Sequence, residues 1–465
     1  MKNIAIVHPK VKTETMKRSA ELLSEFLMGI SGEYPFFFES DNIPELEDCI
    51  YIYFGTKENN PEIKKRSKAE LSMPEEYSIT VENEVIVVEG YDEIGAMYGA
   101  VDLYNKYFVP LKYKELGIND YSLFNKPLPN FSHTARPSVK ERGIWTWGHV
   151  IYNYKGFLAN MAKLKMNSLI MWNDFVPFNM KEILDLAHSY GIKVILGYSW
   201  GWDQKCREIS LSTLNGKSEE IFAKYEKEYA GLDIDGIYFQ TVTELEEEYI
   251  EGVLVADAVT DFVNKTAGLF YEKYPELLIE FGLHATSVKK RLEVIKRVDP
   301  RMRIVWEDFG AMPFSYNAAD IKNYEATKEL ALDAATLRGK NDNFGVVTKA
   351  NTCLDWTKFI HPKGPQNIGV ATKAVIENRI ERKSRVWRAA TAGWLLNGEY
   401  ALDTVGALAL AKDGDLSVNA LVEDGVFGER VMFPVALFAE MLWNTEMDLK
   451  KTVSDIALRD YVEFV

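Results

Sequence analysis

Cysteine is scarce: Cys49, Cys206 and Cys353 lie far apart in a chain of 465 residues. Three such residues build neither a disulfide framework nor a paired zinc-ligand spacing, and a reducing, cytoplasmic compartment is the simplest expectation. Histidine is scarce too, with six residues. His149, His284 and His361 are widely spaced and offer no short ligand motif, so no metal is expected. No glycine-rich phosphate loop and no Gly-x-Ser-x-Gly nucleophile turn occurs. No cofactor is expected either. Positive charge is in deficit, with 54 Lys plus Arg against 69 Asp plus Glu and a formal charge of −15. That balance repels phosphate backbones and anionic lipid, which argues against nucleic acid and membrane surfaces as partners. No stretch approaches 18 uninterrupted apolar residues, and the N-terminal Met1–Lys10 meets charged and turn residues before a signal-like apolar core could form.

What is abundant is apolar and aromatic. Hydrophobic residues make up 47% and aromatics 12%, including 10 Trp, which describes a globular chain with a full-sized core. Up to Pro137, short strands alternate with amphipathic helices. Lys2–His8 and Ile50–Gly55 read as strands, Thr13–Met28 and Glu93–Phe108 as helices, and Tyr77–Glu89 as a hairpin turning at Glu82-Asn83-Glu84. Pro127, Pro129 and Pro137 mark a connector over 126–138. From Val139 on, apolar runs recur at Gly143–Trp147, Ser168–Trp172, Val194–Tyr198, Gly236–Thr241, Leu277–Gly282, Ile304–Trp306, Phe344–Thr348 and Ala392–Leu396. Eight near-continuous apolar strands separated by helical stretches predict a (β/α)8 TIM barrel. The expected organisation is a small N-terminal α/β domain over 1–137, the barrel over 138–403 and a helical C-terminal extension over 404–465.

In such a barrel the chemistry lies at the C-terminal strand ends. The polar residues there are Arg142 and His149, Asn173 and Asp174, Trp200 and Asp203, Glu244, His284, Glu307 and Asp308, Lys349 and Asn351, and Asn397 and Glu399, in strand order. Paired carboxyl groups across a sugar-binding cleft are what glycosidic cleavage needs, one as acid and the other as base or nucleophile. Glu244, at the tip of Gly236–Thr241, is the candidate acid; Glu246 to Glu248 read as helix-start charges. Strand alternation directs either Glu307 or Asp308 to the cleft as the second carboxylate. Trp145, Trp147, Trp172, Trp200, Trp202, Trp306 and Trp356 gather at strand ends, where indole faces suit sugar rings. Asp174 and Lys349 complete the candidate ligands; Asp174 fits a helix cap or turn equally well.

Glu141–Trp145, Phe157–Asp174 and Ile183–Val194 resemble the first three β/α units of glycoside hydrolase family 20, the β-N-acetylhexosaminidases, and of the related α-glucuronidases of family 67. Tyr77–Val81, Val85–Gly90 and Gly95–Leu103 are similar to the small domain that precedes the barrel in those families. The resemblance implies that Arg142 holds sugar hydroxyls and that Glu244 is the acid. It also departs from family 20, where an Asp precedes the acid and orients an acetamido group; here Thr243 stands there. The expectation is therefore a divergent, exo-acting glycoside hydrolase whose sugar need not carry an N-acetyl group, with an inverting geometry favoured. A catalytically silent carbohydrate-binding barrel is the alternative, and a barrel enzyme of other chemistry the third reading. The partner expected is a carbohydrate, and a homo-oligomer is compatible with the sequence.

Overall fold

A computed structural model describes residues 2–115, 120–201, 211–241, 248–284, 291–307, 324–348, 351 and 363–464. The N-terminal region is a six-stranded mixed sheet of β1 (Asn3–His8), β2 (Phe36–Glu39), β3 (Cys49–Gly55), β4 (Tyr77–Glu82), β5 (Val85–Gly90) and β6 (Phe131–Ala135), in the order β2-β1-β3-β5-β4-β6. Its elements end where local chemistry dictates. The Thr13 side chain accepts from the Met16 N–H to cap the helix Glu14–Ser31, which closes at Gly32 with φ 77°. The β4–β5 hairpin turns at Asn83 and Glu84, both at positive φ, the backbone form a two-residue hairpin turn requires. The proline-marked connector contains an unexpected strand: β6 pairs antiparallel with β4 as the sheet edge.

The barrel is closed by eight parallel strands, β7 (Glu141–Trp147), β8 (Ser168–Trp172), β9 (Lys193–Gly197), β10 (Gly236–Phe239), β13 (Leu278–Leu283), β14 (Arg303–Trp306), β15 (Phe344–Thr348) and β16 (Leu416–Leu421). The short hairpin β11 (Tyr249–Ile250) and β12 (Val253–Leu254) is inserted after β10. Alternation divides each strand. Ile144, Leu169, Val194, Ile237, Phe281 and Val418 face the helices, while Trp145, Ile170, Ile195, Tyr238, Val305 and Leu421 fill the interior.

Seven of the expected strands stand within a residue or two of their sequence positions. The eighth does not. Ala392–Leu396 lies inside the 39-residue helix Lys373–Ala411, and β16 takes the eighth place. The barrel therefore runs past residue 404 to Leu421, and Asn397 and Glu399 are helical, away from any strand end. Two further helices, Phe433–Trp443 and Leu449–Ala457, follow. Among the described residues no helix is long and apolar enough to cross a membrane.

The sheet and the barrel meet across a buried polar seam. Lys165 donates to Asp102 at 2.8 Å, Tyr77 also donates to Asp102, and Arg459 donates to Glu440 at 2.7 Å. Arg142 belongs to this seam. It sits near the N-terminal end of β7, 1% exposed, and donates to the carbonyls of Val139, Lys140 and Lys165 and to the Glu75 carboxylate. The role in holding sugar hydroxyls implied by the family resemblance does not match this placement, at the strand end opposite the mouth.

Candidate active site

The C-terminal mouth is walled by aromatic rings that the inward-facing positions of adjacent strands bring together. Trp145 and Trp147 alternate inward from β7, their rings 5.7 Å apart at 81°. Trp172 from β8 lies 5.6 Å from Trp147, and Tyr238 from β10 lies 6.0 Å from Trp145 and 6.1 Å from Trp172. Such edge-on and tilted contacts fix the rings without stacking their faces against one another. The buried Trp145 Nε1 finds no acceptor among the described residues.

Glu307 stands just beyond β14, and its N–H donates to the Leu283 carbonyl at 2.9 Å, continuing the ladder. The residue is 3% exposed. Tyr238 on the inner side of β10 and Gln240 just beyond its end both donate to Oε1, and His284 Nε2 lies 3.0 Å from Oε2. Burial raises the Tyr238 phenol well above its usual range, and Glu307 raises it further, so the hydroxyl keeps its proton and remains a donor. Gly282 is what lets the pair meet: a Cβ there would collide with the Tyr238 hydroxyl and with Glu307 Oε1. Three donors converging on one carboxylate suit its ionised form. That is the state required of a base, a nucleophile or a stabiliser of positive charge, and not of a proton donor.

The other sequence candidates fall on both sides of the strands. Trp200 faces outward, stacked 3.7 Å from Phe239 and 5.3 Å from Phe270. Trp306 is 1% exposed in the same outer core. Alternation explains both, since Trp306 must oppose the inward-facing Val305 and Glu307. Neither ring lines the mouth. Asp174 lies at the rim, half-buried, beside Asn173, Phe175 and Gly364–Gln366. Trp202, Asp203, Glu244, Glu246, Glu247, Asp308, Lys349, Trp356 and His361 lie outside the described residues.

Two acids were missed. Glu423 and Asp424 follow β16, whose ladder continues through the Val422 N–H to the Trp145 carbonyl. Leu421 faces the interior and Val422 the outer core, so alternation carries the fully buried Glu423 toward the mouth. Burial raises the Asp424 carboxyl above its ordinary value, although it accepts from the N–H groups of Val426 and Phe427. The signal was available: Leu416–Val422 is a largely apolar run ending in two acids, but Ser417 and Asn419 interrupt it.

No protein-family model and no curated protein matches the chain in sequence. Solved structures do match in fold. The family GH115 4-O-methyl-α-glucuronidase BtGH115A superposes with TM-score 0.55 at 15% identity, over 97% of this chain and 57% of its own. A family GH138 enzyme targeting pectin rhamnogalacturonan II gives 0.52 at 12% identity, over 97% of this chain and 65% of its own. The GH20 β-N-acetylhexosaminidase from Streptomyces coelicolor A3(2) gives 0.53 at 8% identity, over 98% of this chain and 91% of its own. The chain thus spans less than two thirds of the first two enzymes. It has the small-domain-plus-barrel fold found in these glycoside hydrolases.

Proposed function

We propose that the protein is an exo-acting glycoside hydrolase that removes a terminal sugar from an oligosaccharide or glycoside. The observation that carries this reading is Glu307, an almost fully buried carboxylate at the barrel mouth, met by Tyr238, Gln240 and His284 and faced by a wall of tryptophans. Glycosidic cleavage passes through an oxocarbenium-like centre, and an ionised carboxylate held in place by hydrogen-bond donors can stabilise it, attack it or activate water beside it. Glu244, which follows β10 in the sequence, is assigned the acid that protonates the departing oxygen. Asp308, the sequence neighbour of Glu307, is left a supporting role. Trp145 and Trp172 offer apolar surface to the sugar ring, Trp145 Nε1 a donor to a hydroxyl, and Asp174 and Lys349 further polar contacts. Arg142, Trp200 and Trp306 take no part in this assignment. No metal or cofactor is required by it.

A panel of aryl glycosides covering hexosaminides, uronides and neutral hexosides tests the proposal. Turnover of at least one class is expected, with product NMR showing an inverted first-formed anomer. Saturable binding of a sugar without turnover of any glycoside would overturn the hydrolase reading in favour of a silent carbohydrate-binding barrel.

A further inference from the structure

The helix Lys373–Ala411 is, at about 1.5 Å per residue, far longer than the strands it flanks. Its buried side is defined by Ile376, Trp387, Ala390, Trp394, Ala401, Val405 and Leu408. The opposite side carries its own seven-residue pattern, Arg382, Arg385, Ala389, Ala392, Leu396 and Glu399, all exposed to solvent. Leu396 is 76% exposed and the adjacent Leu395 46%. These spacings of three and four residues are those of a coiled-coil seam. Arg382, Arg385 and Glu399 form no ion pair with any described residue, so the charges on this seam have no partner there.

The pattern is complementary to itself in reverse. When two copies of the helix run antiparallel about a two-fold axis between residues 390 and 391, Arg382 stands opposite the second copy's Glu399. Arg385 then lays its aliphatic stem on Leu396, and Ala389 meets Ala392 at the centre, where small side chains let the helices approach closely. Each layer occurs twice by symmetry, as a two-fold interface demands. A parallel arrangement would place arginine against arginine at the same positions. We propose that this face is a self-association surface through which two copies of the chain pair by these helices.

One helix pair covers less than the roughly 800 Å² per partner of a standard interface. The dimer is therefore weak and concentration-dependent, and salt weakens it further because two of its layers are exposed ion pairs. Sedimentation equilibrium of the full chain across the micromolar range tests it. Arg382→Glu and Leu396→Glu should each raise the dimer dissociation constant by at least about tenfold, with circular dichroism and melting temperature unchanged because both side chains are exposed. Combining Arg382→Glu with Glu399→Arg restores the charge order and should recover most of the association. A chain that stays monomeric throughout that range overturns the proposal. So does a dimer that none of the single variants weakens, and so does failure of the charge swap to restore what Arg382→Glu removed.

Discussion

The floor of the barrel holds Arg303 between Glu141 and Glu280, whereas its mouth holds Glu307 among Tyr238, Gln240 and His284. At the floor every charge meets an opposite charge. Arg303 donates to Glu141 at 2.7 and 2.8 Å and to Glu280 at 2.7 Å, and Lys193 lies 3.6 Å from Glu141. At the mouth the donors are a hydroxyl, an amide and an imidazole. Ion pairs among fully buried side chains leave little field outside the floor cluster, while the donors at the mouth hold the Glu307 carboxylate in place at the end of the barrel where a ligand would enter. Under the proposed function, buried charge at one end of the barrel serves the fold and at the other meets the ligand.

The sharpest test of that contrast exchanges one atom at the mouth. Glu307→Gln keeps the size of the side chain but removes the charge. We expect turnover of a glycoside to fall by roughly 10²–10⁴-fold, while the urea midpoint moves little. A loss of stability with activity per folded molecule preserved would place Glu307 with the floor residues. At the floor the expected balance is reversed. Arg303→Met strands Glu141 and Glu280 as adjacent buried acids, and removing one partner of a buried ion pair typically costs about 3–5 kcal/mol. Urea unfolding at neutral pH reads that cost, and the surviving folded protein should retain its kcat. A stable variant with impaired kcat would break the division between the two ends.

How far this division was legible in the sequence depended on parity and continuity. Seven barrel strands were visible because burial on both faces leaves near-continuous apolar runs. The eighth was not, because Ser417 and Asn419 point into the barrel and break the run, while Ala392–Leu396 is apolar for a different reason, lying in a helix with a partly bare outer face. The same parity, applied strictly, separates Glu307 from Trp306 and Trp145 from Arg142, and would have sent Trp200 outward with Tyr198. What no pattern in one chain could supply was the pairing of distant residues. Tyr238 and Glu307 meet only because Gly282, on the strand between them, has no side chain. The resemblance to glycoside hydrolases identified the fold but misplaced Arg142, whose guanidinium closes the seam with Glu75 instead.

A smaller effect separates the two ends by pH. Burial outweighs the attraction of Arg303 and pushes the Glu280 carboxyl up to about 7 from the ordinary 4.5. The folded state then binds a proton that the unfolded chain releases, so this contribution to stability is fully present below about 4.5 and is lost as pH rises through about 7. Glu280→Gln mimics the protonated form at every pH. Relative to the wild type, the variant should gain about 2 kcal/mol between about pH 5 and about pH 8 in urea unfolding. Stability curves that run parallel for the two proteins would show that Glu280 stays ionised beside Arg303 throughout, and that the floor is a plain ion-pair cluster.

The smallest expected change lies at the mouth and concerns a single N–H. Trp145 is held by edge contacts with Trp147 and Tyr238, and its buried indole nitrogen has no acceptor among the described residues. A buried donor left unmatched in the empty site is satisfied when a sugar hydroxyl arrives, a gain on the order of 0.5–1.5 kcal/mol. Trp145→Phe retains an aromatic ring but deletes the donor and part of the surface. KM should therefore rise roughly 3–10-fold, with kcat nearly unchanged, because a hydroxyl contact made equally in substrate and transition state affects binding alone. The full-length rings of Trp200 and Trp306 provide the control: Trp200→Phe, on the outer side of the barrel, should lower the melting temperature and leave KM where it was. If instead Trp145→Phe lowers kcat and leaves KM alone, the indole acts on the reacting centre, and the mouth does more through its tryptophans than provide a wall.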